Sequence, residues 1–155
     1  MDKAPAHRFG SVILVDPRGW LLLQERDEHP VIDPECWGFC GGHLEPGEEP
    51  LAGALRELAE ESGVRLAPAD VVLVAEVPVH HAAYGTLDRA WVYAAPTTLV
   101  DAQIEQGEGR RIVFVDPAEV ERLPLTTLAA LVLPDFIHGP LHRTLEHAAR
   151  AARPT

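Results

Sequence analysis

Hydrophobic residues follow two different periods along this chain, and each period predicts a different kind of element. Apolar runs at 11–15, 20–23, 71–79, 89–94 and 111–115 are rich in β-branched and aromatic residues, which predicts strands. The first two runs are separated by Asp16-Pro17-Arg18-Gly19, a composition typical of a hairpin turn. The chain is therefore predicted to open with two antiparallel strands.

The clearest helical spacing lies between Pro50 and Ser62, where apolar residues recur three and four positions apart. Pro50 suits the first turn of a helix, and Gly63 suits its C-terminal stop. Weaker patterns predict a short helix over 117–122 and another over 141–152. Strands before and after a central helix favour an α/β fold with a mixed sheet and helices packed on it.

Between the second strand and this helix the pattern is irregular. Residues 27–34 are polar, and Cys36 to Gly42 lead into a stretch crowded with glycine and glutamate. This segment is predicted to be a shaped loop. The 155 residues suit one domain, with a core at about 7–148 and a tail that frays from about residue 149.

Charge narrows the choice of partners. Against 13 Lys and Arg stand 24 Asp and Glu, a formal net charge of −11, so the general field repels nucleic acid and acidic membrane surfaces. A small phosphorylated substrate would be repelled as well, unless a cation offsets the carboxylates locally. Divalent metal is the obvious candidate.

The two cysteines, Cys36 and Cys40, match neither a paired redox motif nor a four-ligand zinc site, which indicates reduced thiols. The N-terminus lacks an apolar segment of signal-peptide length, and no apolar run is long enough to span a bilayer. A cytoplasmic protein is expected.

Three glutamates suggest the chemistry. Glu57, Glu60 and Glu61 stand at i, i+3 and i+4 of the predicted helix and share one face, and like charges at this spacing cost an isolated helix about 0.2–0.5 kcal/mol per pair. A hard cation such as Mg²⁺ or Mn²⁺ would relieve that repulsion. Gly53, one turn earlier, is expected to leave the approach sterically open. A solvated helix face is the ordinary interpretation, but it does not explain the glycine-rich loop before the helix.

That loop and helix together resemble the box of the Nudix hydrolase family, G-x5-E-x7-R-E-U-x-E-E-x-G-U with U aliphatic, and small MutT-like members in particular. The match runs from Gly42 to Val64 and holds at every prescribed position: Gly42, Glu48, Arg56, Glu57, Leu58, Glu60, Glu61, Gly63 and Val64. One departure lies just before it, where Cys40 replaces a frequent proline. The resemblance implies a Nudix α/β/α sandwich with a mixed β-sheet.

The resemblance also implies roles. Glu57, Glu60 and Glu61 would bind catalytic Mg²⁺ or Mn²⁺, and the Gly41 carbonyl would add a ligand. Four further positions would brace the motif: Gly42, Glu48, Arg56 and Gly63. Members commonly form homodimers, which the resemblance leaves open for this chain.

The expected reaction is metal-dependent hydrolysis of a phosphoanhydride in a nucleoside diphosphate derivative. A normal or oxidised nucleoside triphosphate leads, ahead of a nucleotide sugar, a dinucleoside polyphosphate or a dinucleotide cofactor. Candidates for the general base are Glu60, then Glu105 and Glu108. Candidate substrate contacts are Arg8, His80, His81, Tyr84 and Arg89.

Two alternatives keep the fold and change the activity. A catalytically silent domain would sense a nucleotide, although such domains usually have an eroded box and this box is intact. An isomerase of prenyl diphosphates would need a catalytic cysteine and glutamate in specific flanking contexts, and relatives of that kind usually have a modified box. A nucleophilic role for Cys40 is a separate alternative, but no base is assignable to it from the sequence.

Overall fold

Along the chain, strands come before and after a central helix, and further helices follow the last strand. In a computed structural model that describes residues 6–107 and 109–152, the strands are β1 (Arg8–Val15), β2 (Leu21–Glu25), β3 (Trp37–Gly38), β4 (Cys40–His43), β5 (Val72–His81), β6 (Thr86–Pro96) and β7 (Arg111–Val115). The helices are α1 (Pro50–Ser62), α2 (Pro117–Val120), α3 (Thr127–His138) and α4 (Pro140–Ala151). Short 3-10 turns lie at Pro68–Asp70 and Asp101–Gln103.

All these strands belong to one mixed sheet with the order β3-β2-β1-β6-β5. β1 runs parallel to β6 and antiparallel to its other neighbours. Its second edge is shared, because β4 pairs with residues 9–12 and β2 pairs at Val15. β7 pairs with β2 further out. This shared edge brings β2 and β4 to the same side of β1, where the candidate site lies.

Helices cover both faces of the sheet. Val12 and Leu14 of β1 pack with Ala54 and Leu58 of α1, while the alternate residues of β1 pack with α3 and α4 on the opposite face. This follows from the period of two along a strand, which sends successive side chains to opposite faces. The second layer is formed by Ile13, Val15, Leu21, Leu23, Ala129, Val132, Leu133, Phe136 and Leu145.

Most predicted elements are confirmed. The hairpin, the later strands, the helix over Pro50–Ser62 and the short helix begun by Asp116 are all present, and the Asp116 carboxylate accepts from the Ala118 N–H at 2.9 Å. The last helix, predicted over 141–152, is observed as Pro140–Ala151 with Ala149 buried, and residues 153–155 of the predicted tail lie outside the described residues.

Two parts of the prediction were incomplete. The segment expected to be only a loop contains β3 and β4, which pair with β2 and β1. α3 was not predicted, because its residues are apolar on several faces and Pro134 lies inside it. Within the described residues, no helix is both long and apolar enough to cross a membrane.

Candidate active site

A cleft of about 880 Å³ lies where β2 and β4 meet the C-terminal half of α1. The segment after β2 closes one side of it, and the end of β5 with the following turn closes another. Its lining includes Phe9, Gln24, Arg26, Asp27, His29, Val31, Ile32, Gly41, Gly42, His43, Glu57, Glu60, Glu61, His81, Tyr84 and Gly107.

The three glutamates of α1 all line this cleft, as their spacing predicted. The Glu57 side chain is only 13% exposed, and burial raises its pKa above the ordinary value although Arg56 opposes the shift. A Cβ at Gly42 would lie 2.7 Å from a Glu57 carboxylate oxygen. Glycine at this position therefore lets the carboxylate lie directly against the loop backbone.

Arg56 joins the loop to the helix. Its Nε and Nη2 donate to the two Glu48 carboxylate oxygens, both at 2.9 Å, and Nη2 also donates to the His43 carbonyl at 3.2 Å. Its Nη1 donates to Glu57 at 3.0 Å and to Glu60 at 3.2 Å. One guanidinium therefore holds the loop and partly neutralises the acidic edge of α1.

This ion pair changes the acidity of both partners. Hydrogen bonds from Arg56 and from the Glu45 N–H lower the pKa of Glu48 to about 2, and the bond to Glu48 raises the pKa of Arg56. Charge-assisted bidentate pairs of this kind fix geometry as well as charge.

Gly53 does not leave an open approach, which corrects the expectation from the sequence. It is buried in α1, and a Cβ there would collide with Leu44 and lie 2.8 Å from Glu48 Oε1. The small residue lets the Leu44 and Glu48 side chains of the loop pack closely against the helix at this point. Gly41 is similarly confined, since a Cβ would collide with Gly10 and Ser11 of β1.

The donor set suits a hard divalent cation, since carboxylates and backbone carbonyls are the ligands that Mg²⁺ and Mn²⁺ prefer. The carboxylate oxygens of the α1 glutamates lie farther apart than the ligand atoms of a site that encloses one ion. Within the described parts of the chain, the group whose ligand atoms all lie within 4.8 Å of one another is Asp27, Glu28 and His29, which is mostly exposed. Asp27 and His29 also line the cleft.

The second set of candidate bases lies elsewhere. Glu105 is exposed, its N–H donates to the Ser62 carbonyl at 2.9 Å, and its side chain lies over Gly63, which ends α1 with a φ of 75°. It does not line the cleft. Glu108 lies outside the described residues.

The predicted substrate contacts fall into two groups. His81 and Tyr84 line the cleft, whereas Arg8, His80 and Arg89 do not. Arg8 donates to the Glu48 carbonyl at 3.1 Å and to the Glu45 carbonyl at 3.0 Å, so it holds the loop. Arg89 lies 3.4 Å from Glu76, and His80 is exposed on β5.

Two cleft residues were absent from the predicted site. Gln24, at the end of β2, donates from Nε2 to Glu61 Oε2 at 2.9 Å. Arg26 follows β2, and its Nε is enclosed without a hydrogen-bond partner among the described residues. Gln24 and Arg26 both follow the apolar run of the second strand. That end of the strand lies at the same end of the sheet as the Nudix-like box.

Neither cysteine lines the cleft. Cys40 is fully buried with Val12, Leu22 and Leu58 beneath α1, and this burial raises its pKa to about 12. Cys36 is partly buried, which also raises its pKa.

Comparison with known proteins gives a consistent fold and two kinds of activity. The family model described as NUDIX domain matches residues 6–136. Isopentenyl-diphosphate Delta-isomerase of Streptomyces coelicolor is 35% identical over 130 residues, which are 80% of this chain and 64% of that protein. The chain thus spans just under two thirds of this relative's length.

The chain is also similar to two further proteins. The m7GpppN-mRNA hydrolase NUDT17 of Bos taurus is 48% identical over 56 residues, 36% of this chain and 18% of that protein. The MutT protein of Methanosarcina mazei Go1 superposes with a TM-score of 0.70 at 18% identity, covering 96% of this chain and 98% of that one.

Proposed function

Because the chain belongs to the Nudix family, we propose that it hydrolyses a phosphoanhydride bond of a nucleoside diphosphate derivative, with a nucleoside triphosphate as the first candidate. The family and the α/β/α sandwich predicted from the sequence are both confirmed. The observation that carries the proposal is that the α1 glutamates, the Gly41–Gly42 backbone and Arg26 line one cleft.

Each of these groups has a distinct task in the proposal. Glu57, Glu60 and Glu61 would hold Mg²⁺ or Mn²⁺, with the Gly41 carbonyl as a further ligand. Such an ion, when bound, supplies charge neutralisation at phosphorus and lowers the pKa of water. Arg26 brings a guanidinium, whose enclosed Nε has no hydrogen-bond partner among the described residues, into a cleft lined by several carboxylates, which suits a phosphate oxygen.

The remaining residues position these groups. Gln24 holds Glu61 by its 2.9 Å hydrogen bond, and Arg56 orients Glu57 while it ties Glu48 and the loop to the helix. Glu60 is 58% exposed, so while one of its carboxylate oxygens would hold the metal the other can reach water, and Glu60 is also the proposed proton acceptor.

The test is turnover of nucleoside triphosphates, nucleotide sugars and dinucleotides with Mg²⁺ or Mn²⁺, measured beside Glu61→Gln. The matched control is Glu49→Gln, the same change at an exposed residue of the same loop outside the cleft. We expect metal-dependent turnover of one class, a loss of at least about a hundredfold in Glu61→Gln, and no change in Glu49→Gln. Equal, negligible turnover of all substrates by all three proteins would instead support a nucleotide-sensing domain.

Metal binding can also be measured without substrate, as a second test of the proposed function. Addition of Mg²⁺ alone should raise the Tm of the natural protein, because a ligand that binds only the folded state stabilises it by about 3 kcal/mol at a hundredfold excess over Kd. The increase should be smaller in Glu61→Gln and unchanged in Glu49→Gln.

The isomerase among the relatives suggests a second candidate function, isomerisation of a prenyl diphosphate. That chemistry would need a thiol at the substrate. Cys40 instead faces the core on the α1 side of the sheet, where its thiol stays protonated. The structure therefore favours hydrolysis.

A further inference from the structure

Five aromatic rings gather at the end of the cleft next to β4 and the turn after β5. His7 stacks on Tyr84 with ring centroids 4.3 Å apart, and Phe9 lies 4.5 Å from His43 and 5.2 Å from His81. All of them except His7 line the cleft. A wall of flat rings beside a polar cleft suits a planar ligand group such as a nucleotide base.

One ring in this wall is held by a buried acid. His81 is 6% exposed, and its Nδ1 lies 2.6 Å from Asp88 Oδ2. The other oxygen of Asp88 accepts from the His7 N–H at 3.1 Å and from the Thr86 hydroxyl at 2.9 Å. Burial pushes the Asp88 pKa upward, but the hydrogen bonds from His81 and Thr86 outweigh it and leave the pKa below its ordinary value.

This arrangement decides which nitrogen of neutral His81 carries the proton. An ionised carboxylate can only accept, so Nδ1 must donate, and Nε2 is left with a lone pair. Among the described residues Nε2 forms no hydrogen bond, and it is not one of the enclosed unpartnered atoms. His81 lines the cleft and its Nδ1 is engaged by Asp88, so Nε2 is the ring nitrogen that remains to accept a hydrogen bond from a ligand.

We propose that His81, held by Asp88, reads the base of a nucleotide and prefers a base with an exocyclic amino group to one with a carbonyl at the same position. This proposal rests on the proposed function for the class of ligand. The preference arises because an amino N–H donates to Nε2, whereas a carbonyl oxygen would face a lone pair. A site built to bond a polar group rejects an analogue that lacks it more strongly than an apolar pocket does.

The Asp88→Asn variant gives the sharpest test. Its amide oxygen should take the place of Oδ1, because the His7 N–H and Thr86 hydroxyl both donate there. The amide NH₂ then faces His81 Nδ1 and donates to it, so the proton moves to Nε2, which becomes a donor. A substitution of this kind is known to impose the wrong histidine tautomer in a catalytic triad while leaving the geometry intact.

The experiment compares kcat/KM for ATP against ITP and for CTP against UTP at pH 8.5. In the natural protein we expect the amino base to be preferred by roughly tenfold or more. In Asp88→Asn the preference should reverse. The control is Leu87→Asn, an exposed neighbour on the opposite face of β6, which should keep the natural ratio.

Binding separates this inference from the proposed hydrolysis. Titration calorimetry with AMP and IMP, without metal, measures base preference when no bond is cleaved. Tighter binding of AMP without turnover of any triphosphate would overturn the hydrolytic function and support the base preference. Turnover with equal kcat/KM within each pair would overturn the base preference and leave the hydrolytic function standing.

The natural protein alone is sufficient if Asp88→Asn does not fold. Nitrogen-15 NMR of labelled histidines reports the tautomer, and a protonated Nδ1 at His81 is expected. A neutral ring protonated at Nε2 would overturn the proposal, as would a kcat/KM ratio near one for both pairs.

Discussion

The contact between Glu48 and Arg56 gives a prediction whose size follows from the structure. Glu48→Gln keeps the shape of the side chain but replaces one of two oxygens that accept from Arg56 at 2.9 Å with an NH₂ group. That amide group would face a guanidinium donor. The loop that carries Gly42 and His43 would then be held less firmly against α1.

The pKa of Glu48 sets the scale of the effect. A fall from 4.5 to about 2 corresponds to roughly 3 kcal/mol as an upper limit. The Arg56 side chain is 28% exposed, and solvent screening reduces the worth of such pairs, so about 1–2 kcal/mol is expected. For a chain of 155 residues this lowers Tm by about 2–8 °C.

The dependence of the free energy of unfolding on pH shows whether the charge of Glu48 causes the stabilisation. Because the folded pKa is depressed, the stabilisation is fully present well above pH 4.5 and is lost as the pH falls toward 2. The assay is urea unfolding of the natural protein and Glu48→Gln at pH 7 and pH 3. Their difference in free energy of unfolding should shrink by about half at the lower pH.

Two results would refute this reasoning. A difference that is the same at pH 7 and pH 3 would mean that shape, not ionisation, is responsible. Glu49→Gln is the matched control, because Glu49 is exposed and its side chain forms no cap hydrogen bond with the helix. An equal loss in Glu48→Gln and Glu49→Gln would show that the pair with Arg56 adds nothing.

Three further predictions follow from the same loop, helix and core. Glu57→Gln should leave the metal-free protein equally stable or more stable at pH 7, because burial raises the pKa of Glu57 and so disfavours its charged form. Its metal-dependent turnover should fall at least about a hundredfold. Thermal unfolding measures the first effect and initial rates measure the second. Gly41→Ala should destabilise by about 1–3 kcal/mol, because the added carbon collides with the backbone of Gly10 and Ser11, and an unchanged unfolding midpoint in urea would contradict this. In native protein, iodoacetamide should modify Cys36 before the fully buried Cys40, which peptide mass analysis tests directly, and faster labelling of Cys40 would show that the thiol is accessible.

The elements that could be predicted are those whose pattern is local. The strand over 11–15 and the helix over Pro50–Ser62 show their periods within their own residues, and Asp116 and Gly63 mark their ends by type. β4 has no such signal, because Gly41 and Gly42 have low strand propensity and pair only because β1 offers Gly10 and Ser11 opposite them.

The residues of the candidate site also fall into two groups, those that local spacing predicts and those that it does not. Glu57, Glu60 and Glu61 are neighbours on one helix, so their spacing predicted their shared position. The pairing of His81 with Asp88 depends on the register of β5 with β6, in which His81 lies opposite Thr86. Arg26 reaches the cleft only because β2 and β4 share one edge of β1. Contacts of this kind need the topology and cannot be read from spacing.

Similarity alone does not choose between the two activities, since one relative is an isomerase and another is a hydrolase. The choice depends on which groups face the substrate. Cys40 lies in the core with Val12 and Leu22, whereas the backbone of the neighbouring Gly41 lines the cleft. Cys40 does not line the cleft, so its thiol is absent from the surface that a substrate there would contact. The glutamates of α1 and Arg26 line the cleft already, and these are the groups that the proposed hydrolysis would use.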